Sequence, residues 1–246
     1  MSAHDSEYNR TLLKTRWTNL DRGQTDHGRG RPMPPMQKPC AGPTIALPDP
    51  SAAATAGVSV REAIGGRASH RAFADAPIAL EELSFLLWAT QGVRKHTEKA
   101  SFRTVPSGGA RHPFETYLFC SRVEGLEPGL YRYLPFDHAL CPHGPVEQMD
   151  DVLDEALLKH HFGGAVDFVW AAVPYRCEWR YGSESLRLIL LDAGHVCGQL
   201  YLACEEIGCG TCAVGAYDQD RLDGLLGLDG DEEFAVYAAP VGKKNG

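Results

Sequence analysis

"SESLRLILLDAGHVCGQLYLACEEIGCGTCAVGAYD", residues 183–218, is the stretch on which the fold turns. Its apolar positions 186, 189, 190, 193, 197, 200, 201 and 204 recur at steps of three and four, the period of one helix face. The spacing predicts a single long helix closed by Gly208. Small residues follow it, ending in an aromatic. Cys209 and Cys212 in that tail invite a redox or metal reading, but a metal site usually needs a second ligand pair at suitable spacing. Cys197 and Cys204, seven apart on the helix, suit its buried face instead.

Working outward, "AVDFVWAAVP" (165–174) is a nearly all-apolar run stopped by proline, which predicts a buried strand. "FETYLFCSRV" (114–123) and "GLEPGLYRYLP" (125–135) read as strands joined by a turn. Helical patterns cover "SVREAIGGR" (59–67, with Ser59 as N-cap), "LEELSFLLWATQG" (80–92, ended by Gly92), "VEQMDDVLDEALLKHHF" (146–162) and "DQDRLDGLLGL" (218–228). A last strand is expected in "EEFAVYAAPVG" (232–242). Helices and strands mix without strict βαβ alternation, so the expected class is α+β. Residues 1–57, crowded with Gly, Pro and Ala, read either as an extended arm packing along a surface or as plain disorder, and 58–246 as the folded domain.

The totals limit the function classes. A net charge of −8 over 246 residues makes general nucleic-acid binding a poor reading, because phosphate backbones attract basic surfaces. No apolar run approaches the roughly 20 residues of a membrane span. The first residues lack the apolar core of a secretory signal, so the eight cysteines are expected to be reduced thiols in a cytoplasmic protein.

Two further stretches carry candidate chemistry. In "GGRASHRAF" (65–73), Arg67 and Arg71 stand four apart with Ala68 and Ser69 between them. That is either an ordinary solvated helix start or a clamp for a phosphate, which arginine's planar fork suits. In "RTVPSGGARHPFETYL" (103–118), Pro106, Ser107, Gly108, Gly109 and Ala110 have little side-chain volume, so the backbone can approach a flat ligand closely.

In their order along the chain, "GRASHRAF", "LEELSFLLWATQGV", "PSGGARHPFETYL", "GLEPGLYRYLP" and the run 191–243 resemble the FMN-dependent nitroreductase-like oxidoreductases. The likeness is greatest to their SagB/thiazole-oxidase branch, which contains the azoline dehydrogenases of peptide natural-product pathways, and it covers 58–244. The resemblance implies a mostly antiparallel central sheet flanked by helices in an intertwined homodimer, with FMN at the subunit interface. It assigns Arg67, Ala68, Ser69 and Arg71 to the flavin's phosphate and ribityl chain. Pro106, Ser107, Gly108 and Ala110 lie along its rings, Ala213, Val214, Gly215 and Ala216 cover the ring near N5, and Lys243, with Lys244 beside it, completes the phosphate site. Where the azoline-dehydrogenase branch carries a Lys-Tyr pair, this chain has Arg180-Tyr181, and a permanently protonated arginine is a poor base. Either Tyr181 acts alone, or Arg180 anchors an anionic substrate.

The implied activity is a hydride cycle between a nicotinamide, NAD(P)H, or organic donor and a small acceptor. Azoline oxidation on a modified peptide is the alternative, and a flavin or thiol sensor built on Cys209 and Cys212 a third reading. Arg111 is read as solvent-facing, with the flavin N1/O2 edge as its alternative. His70 and His112 are placed near the ring, His160 and His161 at a solvated helix end, and His195 in a packing role.

Overall fold

A computed structural model describes residues 3–245 of the chain. The two most apolar strands, β4 (Phe114–Cys120) and β7 (Val166–Ala172), lie antiparallel at the centre of a sheet, and every residue in both is buried. Side chains alternate across a pleat. Leu118, Phe168 and Trp170 therefore pack on one face, and Tyr117, Phe119, Val169 and Ala171 on the other. Helices α3 (Leu80–Gln91) and α6 (Ser185–Glu206) cover the first face through Leu83, Leu86, Leu87, Ile189, Val196 and Leu200. Helices α4 (Met149–Ala156) and α7 (Gln219–Leu226) cover the second through Leu153, Leu222 and Leu226.

The sheet has seven strands, all paired antiparallel. With β1 (Ile45–Ala46), β5 (Gly129–Leu134), β6 (Ala139–Gly144), β8 (Cys209–Thr211) and β9 (Phe234–Lys243), its order is β1-β6-β5-β4-β7-β9-β8. The α+β class and the antiparallel sheet agree with the sequence reading. A separate hairpin, β2 (Val93–Thr97) with β3 (Ala100–Arg103), follows α3. Ser59 caps α2 (Val60–Gly66) in a reciprocal pair with Glu62, as its position predicts. No described helix is long and apolar enough to cross a membrane.

The structure departs from the sequence reading at several points. The helix expected to reach 162 ends at Ala156, and left-handed backbone at Leu158, Lys159 and Phe162 turns the chain inward. His161 is consequently buried, not solvated, with Nδ1 3.2 Å from Oδ1 of the fully buried Asp167. Burial opposes the charged ring, but the Asp167 hydrogen bond and charge, with Asp150, hold the His161 pKa above its ordinary value. On α6 the buried stripe is Ile189, Ala193, Cys197, Leu200 and Cys204, whereas Leu186 and Leu190, expected on the same face, are 42% and 53% exposed. The apolar arc of the helix is wider than the sheet can cover. With Leu191 it leaves an apolar strip on the surface beside the open Gly194 and Gly198.

The N-terminal segment is anchored. It carries a helix, α1 (Ala3–Leu13), where no period was read. Cys40 is joined to Cys141 at a Cα separation of 5.7 Å, so the expectation of eight reduced thiols fails for this pair. Cys120, Cys177, Cys197, Cys204, Cys209 and Cys212 are free and buried. Between 35 and 39 the segment crosses a buried ionic cluster. The carboxylate of Glu115, 2% exposed, accepts from Arg132 Nη1 at 2.8 Å, from Arg176, and from the Lys38 N–H at 2.9 Å. The same two guanidinium groups, joined by Arg103, donate to the segment's carbonyls: Arg132 to Lys38 and Pro39, Arg176 to Pro35, and Arg103 to Met36.

Candidate functional site

Segment 67–74 runs along the β8/β9 edge. Arg67 ends α2, Ser69 forms a parallel bridge with Thr211, the His70 N–H donates to Thr211 O at 3.0 Å, and the Ala74 N–H to Lys243 O at 2.9 Å. Arg67, Ala68, Ser69 and Arg71 are exposed, and Arg71 has no ion-pair partner among the described residues. Tyr201 on α6 joins this element to the loop after β8. Its hydroxyl is 2.9 Å from Ser69 Oγ and accepts the Ala213 N–H at 2.8 Å, while the Arg67 guanidinium lies 5.3 Å over its ring. Val214 bridges Ala238, and the N–H groups of Gly215 and Ala216, both exposed, have no acceptor among the described residues. Three of the expected positions, Arg67, Ser69 and Ala213, therefore meet across one tyrosine that the sequence reading counted only as part of an apolar face.

Lys243 is less free than expected. Its ammonium is bonded to Glu82 and lies 3.4 Å from Ile207 O, and Lys244 is bonded to Glu205 at 2.7 Å. The His70 ring lies against Gly210, and its buried Nε2 has no partner among the described residues. A Cβ at Gly210 would sit 2.6 Å from His70 Cγ. Gly210→Ala should therefore push the arginine element off the sheet edge, at a cost of about 1–3 kcal/mol of overpacking, with lowered uptake of any ligand held there. Thermal melting and ligand content of the purified variant check this; wild-type values for both would mean that the element moves freely.

The second set, 106–110, is organised by Asp192 on α6. The Ser107 hydroxyl donates to it at 2.6 Å and the Gly108 N–H at 3.1 Å, and Ser107 Oγ in turn accepts the His112 N–H at 2.8 Å. Burial raises the Asp192 carboxyl against the pull of these donors. Gly109 has φ +62, and a Cβ there would stand 1.9 Å from the Tyr181 hydroxyl, so that hydroxyl lies directly on the small-residue segment. Pro106, Ser107 and Ala110 wall a cavity of about 500 Å³ that Arg180 and the β2–β3 hairpin also line. The Tyr181 ring packs edge-on against Trp17, at the end of α5 (Tyr175–Tyr181).

Arg111 and His112 are neither solvent-facing nor free. Arg111 is 3% exposed, donates to Met33 Sδ at 3.2 Å and lies 5.3 Å over Trp179. Burial, with the Arg103 charge, pushes His112 down to about 3, so it is neutral at any working pH. His195 is exposed and stands 3.7 Å from Asp192 instead of packing inside. Cys209 is buried in β8, and burial pushes its thiol up to about 12, which deprives a thiol sensor of the thiolate it needs. Asp192 was the one missed residue with a signal: a carboxylate in the apolar run "LILLDAGHV" must find buried donors.

Asp192 and Tyr201 are nine residues apart on one helix, about 13.5 Å along its axis and half a turn around it. The two sets thus face different sides of α6. The nitroreductase family profile matches residues 64–243. The chain belongs to the nitroreductase family. It is 33% identical over 189 residues to a putative nitroreductase of Methanocaldococcus jannaschii, covering 76% of this chain and 92% of that one. It is 30% identical over 156 residues to the trifolitoxin-processing protein TfxB of Rhizobium leguminosarum bv. trifolii, covering 60% of this chain but only 40% of that protein's length. Among solved structures, a putative nitroreductase from Ralstonia eutropha superposes with a TM-score of 0.67 at 24% identity, over 88% of this chain and 98% of the other, and shares its fold. As a nitroreductase-family protein, the chain is an oxidoreductase of a family that generally binds flavin.

Proposed function

We propose that this nitroreductase-family protein is an FMN-dependent oxidoreductase that passes hydride between a nicotinamide or organic donor and a small acceptor, working as a homodimer. The observation that carries this reading is the meeting at Tyr201 of the exposed Arg67, a serine and a loop with two free N–H groups, with the exposed Arg71 two residues beyond that serine. The donor set suits a phosphorylated flavin: guanidinium groups for the phosphate, hydroxyl for the ribityl chain, N–H groups for the ring edge. The unpartnered His70 Nε2 beside it also suits a polar ligand. Lys243 adds positive charge at the rim while sharing its ammonium with Glu82.

When bound, FMN supplies the hydride chemistry, and the chain's residues orient it and set the surrounding field. The split of the two sets around α6 supports the homodimer: a second copy, docked on the surface strip of Leu186, Leu190 and Leu191, would bring its own 106–110 segment to the first copy's Tyr201 cluster. A cytoplasmic location accompanies this reading. The Cys40–Cys141 bridge sits least well with it, since such bonds are rare in reducing compartments.

The test is direct. The purified protein should be yellow, and apo protein given FMN at about a hundred times its dissociation constant should gain roughly 2.7 kcal/mol of stability. Anaerobic titration with NADH and NADPH should then bleach the flavin band. Colourless protein without a thermal shift would refute the reading. Azoline oxidation on a peptide is the second reading, favoured by the likeness to a toxin-processing protein and by the Tyr181 hydroxyl on Gly109. Arg180 weakens it, because it cannot serve as the base.

A further inference from the structure

The cavity walled by Pro106 and Ala110 holds positive charge that the hydride cycle itself does not use. Arg94, Arg103 and Arg180 line it, along with Phe102, Val105 and Pro106. None of the ion pairs among the described residues involves these three arginines or Arg111, which is buried behind Ala110. Arg94 commits only Nε, to Arg103 O at 3.0 Å. The Arg180 guanidinium has no hydrogen-bond partner among the described residues and rests 5.5 Å over the Tyr181 ring. The buried Nε of Arg111 has no partner among the described residues. Of the carboxylates close by, Glu115 already serves Arg132 and Arg176, and Asp192 is taken up by Ser107 and Gly108. Like charges gathered without a counter-ion repel one another, and an incoming anion relieves that repulsion.

We propose that this cavity binds the carboxylate of an anionic organic substrate, gripped by Arg180 and Arg94, with Phe102, Val105 and Pro106 receiving its apolar body. The proposal rests on the oxidoreductase reading above and names its substrate class. The planar fork of arginine matches a carboxylate in pairs of hydrogen bonds. A volume of about 500 Å³ lies within the range of small-molecule sites. The phosphate-type cluster at Arg67 and Arg71 is a different element, so these arginines are free for a second anion.

The experiment is calorimetric titration of the full-length protein as purified with three probes: benzoate, its neutral isostere benzamide, and inorganic pyrophosphate. Benzoate should bind at least about tenfold more tightly than benzamide, and the preference should fade with added salt. Arg180→Gln and Arg94→Gln, both at exposed positions that fold without these charges, should each remove the preference while leaving benzamide binding alone. Equal affinity for benzoate and benzamide in the wild type, or a preference surviving in both variants, would overturn the proposal. So would pyrophosphate binding more tightly than benzoate and losing its affinity in the same variants, which would assign the arginines to the phosphates of a dinucleotide. Flavin absorbance read on the same samples separates the two claims. Colourless protein that still prefers benzoate supports the anion site and removes the flavin; yellow protein without the preference does the reverse.

Discussion

Replacing Glu115 with alanine is expected to cost about 3–5 kcal/mol of stability, the penalty for leaving buried guanidinium groups without their counter-charge. Glu115, Arg132 and Arg176 are all 2–3% exposed, so water cannot substitute for the lost carboxylate. For a chain of this size that is roughly 6–20 °C of melting temperature, and it is a large share of a typical total of about 5–15 kcal/mol. The Lys38 N–H, which donates to this carboxylate, should lose its protection from hydrogen exchange in the same variant. Glu115→Gln, which keeps one acceptor, should fall between the two. A melting temperature within a degree or two of wild type would mean that the cluster is far wetter than it looks. pH acts in the same sense. Burial pushes Glu115 up, but Arg176 and Arg132 outweigh it and hold it below its ordinary value of 4.5. Its contribution is therefore complete above that value and disappears as pH falls through the lower folded one.

Arg71→Ala should act on the ligand and spare the fold. A hydrogen bond to a charged group contributes about 1.5–3 kcal/mol, so the FMN dissociation constant should rise roughly tenfold to 150-fold. The side chain is exposed and makes no ion pair, so melting of the apo protein should shift by no more than about 0.5 kcal/mol. Fluorescence titration of FMN into apo protein reads the first effect, and a thermal melt the second. Unchanged affinity would remove Arg71 from the site. Arg67→Ala is a less clean probe, because that guanidinium also covers Tyr201.

What the sequence disclosed was what local chemistry determines. The 3.6-residue period made α6 legible, the Ser59-Glu62 pair marked the start of α2, and the apolar run ending at Pro174 gave β7. What stayed hidden depends on partners far away in the chain. Tyr201 looks like one more apolar position until Ser69 and Ala213 arrive on either side of its hydroxyl. The segment crowded with Gly and Pro reads as loose because it holds no core of its own. Its order comes from Arg103, Arg132 and Arg176, far downstream. His161 sits on a helical pattern in the sequence, and only the left-handed turns after Ala156 swing it toward Asp167. The small-residue stretches were found by composition, but which side of α6 each would occupy follows from the helix rotation between Asp192 and Tyr201, not from either stretch alone.

The clasp on Pro35 has a consequence for birth on the ribosome. Its donor, Arg176, is made 141 residues later. At about 5–20 residues per second, translation leaves Pro35 waiting roughly 7–28 s for that side chain. Through that interval the Pro35 carbonyl is without this donor, and a stretch dense in proline, glycine and charge tolerates such a wait without collapsing. Made before all three of its arginine donors, the segment is fastened only as they arrive.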